Sequence, residues 1–168
     1  MTVRYFAYGS NLLHARLYAR CRSIVNIGIA RLDRHRLNFA KPGGDESGKC
    51  GIEAVNTGEY VLGVLYQMAK REKPVLDRIE GNGHGYMDKE IEVNSNRGPI
   101  RCFTYYPTRL DNDKRPYDWY KALVLEGARE NGFPPHYLEM IEAVESLIDP
   151  HHERRISNYA IIQGHDSE

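Results

Sequence analysis

The sequence predicts an α+β fold: one compact domain with a mixed, mostly antiparallel, barrel-like β-sheet and helices packed outside it. Three observations carry this. β-branched and aromatic runs dominate the first two-thirds of the 168 residues, and helical spacing dominates the rest. The regular strand–helix alternation of a parallel sheet is absent. Charged residues make up 27% and hydrophobic ones 41%, which excludes a disordered chain.

Residues 2–8 (TVRYFAY) have strand character and are broken by Gly9-Ser10-Asn11. Ser10 or Asn11 is suited to cap a helix through about Arg20, with Leu12, Leu13, Ala15 and Leu17 as apolar positions. Residues 24–32 and 36–40 read as strands. Residues 41–51, rich in Gly and charge, read as a loop. Residues 52–55 and 60–68 read as strands, the second largely buried. Residues 70–80 switch to helical spacing, with Val75, Leu76 and Ile79 on one face. Pro74 falls in the first turn, where a missing N–H is tolerated. Gly81, Gly83 and Gly85 open a loop before two further strands at 86–93 and 100–106. A helix over 117–131 is stopped by Gly132. Pro134 and Pro135 separate it from a last helix reaching about Ile148. Residues 151–168 read as a polar, poorly fixed C-terminal tail.

Lys plus Arg and Asp plus Glu both number 23, so the formal net charge is zero. Coating of nucleic acid or of an anionic membrane surface is not expected. No apolar run approaches the ~18 residues of a membrane span. Met1-Thr2-Val3-Arg4 lacks a basic region leading into an apolar segment, so a cytoplasmic location is expected. Cys21, Cys50 and Cys102 are sparse and odd in number, which suits reduced thiols. Gly43 to Cys50 (GGDESGKC) nearly forms a phosphate-binding loop, but Cys50 replaces the magnesium-binding hydroxyl and strand character follows. The seven histidines form no strong metal-ligand spacing, and no GxSxG elbow is present.

Two stretches carry chemistry. Tyr5-Phe6-Ala7-Tyr8-Gly9-Ser10-Asn11-Leu12-Leu13 is a strand running through a tight Gly turn into a helix start. Unpaired N–H groups at such a junction can hold a carboxylate or a developing oxyanion. Leu76-Asp77-Arg78-Ile79-Glu80-Gly81 places Glu80 at the end of an amphipathic helix. Apolar surroundings there would favour proton exchange near neutral pH. Tyrosine is unusually frequent, with 12 Tyr against four Phe and one Trp. Tyr supplies a flat apolar face with a polar tip.

Together these stretches resemble the γ-glutamylcyclotransferase family. YFAYGSNLL is similar to its N-terminal signature and LDRIEG to the segment bearing its catalytic glutamate. The run from Tyr120-Lys121 to Gly127-Ala128-Arg129-Glu130-Asn131-Gly132-Phe133-Pro134 resembles a family helix and its ending. The resemblance spans about Val3 to Glu145. It implies a γ-glutamylcyclotransferase-like domain over 1–150 that converts γ-glutamyl amino acids or peptides to 5-oxoproline and the free amino acid. It implies Glu80 as acid/base, and Tyr5, Phe6, Ala7, Tyr8, Gly9 and Ser10 as the substrate-binding loop. Tyr86, Tyr105 and Tyr120 would line the pocket. No metal or organic cofactor is implied; the partner is a small γ-glutamyl molecule, and a homodimer is left open. The same chemistry on γ-glutamyl amines, γ-glutamyl-lysine or a γ-glutamyl-protected intermediate remains open, as does a non-catalytic binding module. Residues 41–51 and 109–118 match no part of the family pattern and are where leaving-group choice would be set.

Overall fold

The computed structural model describes residues 1–164. Among these, the elements are β1 (Thr2–Ala7), a 3-10 turn (Ser10–Leu12), α1 (His14–Arg20), β2 (Val25–Asp33), β3 (His35–Pro42), β4 (Gly48–Ala54), β5 (Tyr60–Ala69), a second 3-10 turn (Lys70–Glu72), α2 (Lys73–Glu80), β6 (Tyr86–Ser95), β7 (Gly98–Pro107), α3 (Asp118–Glu130), α4 (Pro135–Glu142) and α5 (His152–Gln163).

Five strands close into a barrel in the order β1-β5-β2-β6-β7. β5 pairs antiparallel with β1 and β2 on its two edges, which explains its almost wholly apolar sequence YVLGVLYQMA and its burial. β6 and β7 form an antiparallel hairpin, and β6 also meets β2. The barrel closes where β1 meets β7 in parallel, at Tyr5 opposite Phe103. β3 and β4 form a separate two-stranded hairpin. Phe6, Leu12, Leu65, Tyr66, Met68 and Leu123 are among the fully buried side chains of one continuous core. The α+β class with a barrel-like sheet and external helices is therefore as the sequence predicts.

Several elements differ from the sequence reading. The stretch 41–51 is mostly strand, because β3 runs to Pro42 and β4 begins at Gly48; cross-strand pairing overrides its Gly and charge content. The helix expected from Ser10 is interrupted at Leu13, whose backbone is extended. Ser10 and Asn11 cap nothing, because their side chains are used elsewhere. Of the apolar face assigned to 70–80, only Leu76 is buried; Val75 and Ile79 are exposed. α4 stops at Glu142, short of Ile148.

The expected poorly fixed tail after Pro150 is instead helix α5 over His152–Gln163, while residues 165–168 lie outside the described residues. Polar fastening holds α5 against α3. Asp149 is 3% exposed and accepts hydrogen bonds from Trp119 Nε1 at 2.7 Å and from Arg154 at 2.6 and 2.7 Å. Arg155 pairs with Asp118, and Arg16 reaches Asn158. Polar composition concealed a helix whose partners are far away in sequence.

Helix α3 lies against the Ser10–Leu12 turn because Gly127 has no side chain. A Cβ there would sit 2.4 Å from Leu13 N and 2.6 Å from Leu12 Cβ. Gly127→Ala is expected to destabilise the fold by about 1–3 kcal/mol, at roughly 2–4 °C of Tm per kcal/mol. A thermal melt unchanged from wild type would contradict this contact. Hydrogen bonds from Arg154 hold the Asp149 carboxyl well below the usual carboxylate range. Its contribution to stability is complete above the unfolded value of about 4 and is lost as pH falls toward the lower folded value. Melts taken from about pH 5 down to about pH 2 should fall more steeply for wild type than for Asp149→Asn. Parallel curves would count against the Asp149 anchor.

Candidate active site

β1 delivers Tyr5 to the barrel mouth, and the chain then turns through Tyr8 and Gly9 into the Ser10–Leu12 turn. Leu12 N–H donates to Gly9 O at 2.9 Å, which closes that turn. Gly9 is required by proximity: a Cβ would lie 2.9 Å from Cys50 Cβ on β4. No acceptor is found among the described residues for the N–H groups of Gly9, Ser10 and Asn11. This is the donor set the strand–Gly–helix junction led us to expect.

Glu80 is the last residue of α2. Gly81 ends the helix in the left-handed region, at φ 69°, and its N–H bonds back to Arg78 O. A carboxylate at a helix C-terminus faces the negative end of the helix dipole. Two donors offset this. Arg20 Nη1 lies 2.8 Å and Asn11 Nδ2 2.9 Å from Glu80 Oε1. Arg20 also donates to Asn11 Oδ1 at 2.8 Å, so the three side chains form a closed triangle. The surroundings of Glu80 are thus polar and cationic, and the expected apolar neighbourhood is not present. Both contacts fall on Oε1; Oε2 has no hydrogen-bond partner among the described residues.

A small polar cavity of about 30 Å³ is lined by Glu80, Gly9, Ser10, Asn11 and Cys50, and by the tyrosines Tyr5, Tyr8, Tyr86, Tyr105 and Tyr120. Structure therefore brings together Glu80, Tyr5, Tyr8, Gly9, Ser10, Tyr86, Tyr105 and Tyr120 of the sequence-predicted set. Phe6 and Ala7 do not line it. Both are fully buried in β1, and Phe6 offers its carbonyl to Thr104 Oγ1 at 2.8 Å. Asn11, Arg20 and Cys50 were not picked out from the sequence. Asn11 stood in the motif but read as a cap, Arg20 carries no local signal, and Cys50 serves through its backbone.

Most of the tyrosine O–H groups are engaged with the protein. Tyr8 donates to Tyr105 O, Tyr86 to Cys50 O at 2.6 Å, and Tyr105 to Asp77 Oδ1 at 2.6 Å. Tyr120 accepts from Cys50 N–H at 3.0 Å, and Tyr5 accepts from Asn11. Burial pushes all five phenols up from their ordinary value. They are neutral at physiological pH. Burial likewise pushes the Cys50 thiol up to about 12, which disarms it as a nucleophile.

A closed barrel with a glycine turn, a ring of neutral tyrosines and a lone carboxylate at its mouth defines a site for a small polar molecule. The sequence pattern of the AIG2-like family matches residues 60–141. The γ-glutamylcyclotransferase of Bos taurus is 36% identical over 147 residues, covering 84% of this chain and 78% of that protein. The one from Mus musculus is 37% identical over 150 residues, covering 86% and 79%. A solved structure of a γ-glutamyl cyclotransferase superposes with a TM-score of 0.86 at 31% identity, covering 98% of this chain and 100% of the other. The chain belongs to the γ-glutamylcyclotransferase family and is an enzyme of that type. No helix among the described residues is long and apolar enough to cross a membrane.

Asn11→Ala removes the amide that ties Glu80 to Tyr5. A hydrogen bond to a charged group is worth about 1.5–3 kcal/mol, so kcat should fall by about tenfold or more. Steady-state kinetics of the folded variant with wild-type kcat would show that the triangle is dispensable.

Proposed function

We propose that this enzyme closes a γ-glutamyl group on itself. 5-Oxoproline and the group formerly in amide linkage to the γ-carbon are released, with Glu80 as general acid/base. The lone carboxylate facing the glycine turn inside a tyrosine pocket carries the reading. Leading substrates are γ-glutamyl amino acids or peptides.

The substrate supplies its own nucleophile, so the chemistry needs no activated Ser or Cys. That agrees with a Cys50 thiol kept protonated by burial. The α-amine must approach the γ-carbonyl carbon to about 3 Å. Glu80 Oε2, the oxygen without a partner, takes a proton from the ammonium. The amine nitrogen bonds to the γ-carbon, and the carbonyl oxygen becomes an oxyanion. The oxyanion then collapses to the lactam carbonyl and the bond to the leaving nitrogen breaks as Glu80 returns the proton to that nitrogen. Glu80 takes the second proton from the ring nitrogen and passes it to the released amine, which leaves as an ammonium. N–H groups of Gly9 and Ser10 are the donors available to the oxyanion or to the substrate α-carboxylate. The phenol oxygens of Tyr8, Tyr86 and Tyr105, whose protons point to protein acceptors, offer lone pairs to an ammonium.

Wild type and Glu80→Gln are to be incubated with γ-glutamyl-alanine without added metal, and 5-oxoproline quantified. The substitution keeps the size and the Asn11 contact distance but removes the proton acceptor. It should lower kcat by about 10²–10⁴-fold. Retention of more than roughly a tenth of wild-type kcat would sink the role of Glu80.

A further inference from the structure

A second cavity, of about 180 Å³, lies beside the first and shares Ser10, Glu80, Tyr86 and Tyr120 with it. Its other walls carry Arg16, Arg20, Lys41 and Lys49. Two of these cations are neutralised in place, Arg20 by Glu80 and Lys49 by Asp45, each at 2.8 Å. The other two are not. Arg16 spends its donors on neutral oxygens, Ser10 Oγ at 3.1 Å and Asn158 Oδ1 at 3.2 Å. Lys41 Nζ lies 4.6 Å from the centre of the Tyr86 ring. Neither has a carboxylate partner among the described residues. The cavity therefore carries two cations without an ion-pair partner beside Glu80, whose carboxylate, with Asp45 for Lys41, acts on them only from beyond contact distance.

Partly burying a cation without an anion costs free energy. The cost is visible at both groups. Burial first, and Arg20 second, push Arg16 down to about 10, and burial pushes Lys41 down. An anionic guest would remove this cost. Ile79 and Trp119 add apolar wall to the same cavity, so the guest combines a carbon skeleton with a negative charge. Lys41, Gly43, Gly44 and Lys49 come from the β3–β4 hairpin, the stretch where the resemblance to the family gives out.

We propose that this cavity is the leaving-group subsite of the cyclotransfer reaction inferred above, on which it rests, and that Lys41 and Arg16 bind a carboxylate carried by the leaving group. The substrate class is then γ-glutamyl amino acids and peptides with a free carboxylate. γ-Glutamyl amines, which lack that charge, are poor substrates.

The test compares kcat/KM, read as 5-oxoproline release, for γ-glutamyl-alanine, γ-glutamyl-alaninamide and γ-glutamyl-isopropylamine. Wild type should favour the carboxylate substrate at least about tenfold, the scale of one charge-assisted hydrogen bond. Lys41→Gln and Arg16→Gln should each lower that preference about fivefold or more, and added NaCl should lower it further in wild type. Arg16→Gln also removes the bonds to Ser10 and Asn158, so Lys41→Arg is included; keeping the charge, it should keep the preference. Equal rates on all three substrates, or a preference unmoved in both folded Gln variants, overturn the subsite alone. No 5-oxoproline from any of the three overturns the cyclotransfer reading, and the subsite falls with it.

Discussion

Barrel closure between the first and last strands is the constraint on which the site depends. β1 and β7 are about a hundred residues apart in the chain and meet in parallel, so no tight turn can set their register. Side chains do it instead. The rings of Tyr5 and Phe103 stack with centroids 5.2 Å apart. Thr104 Oγ1 bonds to Phe6 O, and Tyr8 bonds to Tyr105 O. Without this seam β1 would be an open edge, and the turn that follows it would have no fixed wall. With it, Tyr5, Tyr8 and Tyr105 stand at one mouth of the barrel.

The mouth is then furnished from elements outside the barrel wall. α2 ends there and contributes Glu80; α1 contributes Arg20; β4 contributes the Cys50 backbone, which holds Tyr86 and Tyr120. Gly127 lets α3 press on the Ser10–Leu12 turn and bring Tyr120 with it. The Glu80 carboxylate is thus held by fixed donors, Arg20 and Asn11, among phenols that keep their own protons. Rigid placement of this kind is what the proposed intramolecular reaction requires.

Charge is distributed unevenly between the two adjoining cavities. The first holds neutral phenols and a carboxylate already matched to Arg20 and Asn11. The second holds more cations than anions. The two cavities adjoin at Glu80, Ser10, Tyr86 and Tyr120. The roomier cavity beside Leu37, Met140 and Ile141 is lined by Asn38, Asn112, Lys114, Arg115 and Glu145 as well as apolar residues, and by no tyrosine.

The sequence by itself determined what local chemistry can encode. Strand runs such as TVRYFAY, the Gly turn and the helix ending in Glu80-Gly81 were legible locally, and the resemblance to the family named Tyr5, Phe6, Ala7, Tyr8, Gly9, Ser10, Glu80, Tyr86, Tyr105 and Tyr120, of which all but Phe6 and Ala7 line one cavity. Sequence reading misjudged features whose energy comes from distant partners. Residues 41–51 carry loop-like Gly and charge, but pair as a hairpin. Residues 152–163 look like a solvated tail, yet Asp149, Trp119 and Asp118 anchor them as a helix. Asn11 looks like a helix cap, but bridges Tyr5 and Glu80 across 69 residues of chain. Ion pairs and hydrogen bonds between remote residues leave no period or spacing in a sequence, because their geometry exists only after the barrel has closed. Barrel closure and the packing around it therefore decide that Glu80 is surrounded by polar donors, that Phe6 and Ala7 are buried in the core, and that Arg16 and Lys41 line a cavity beside Glu80 without an ion-pair partner among the described residues.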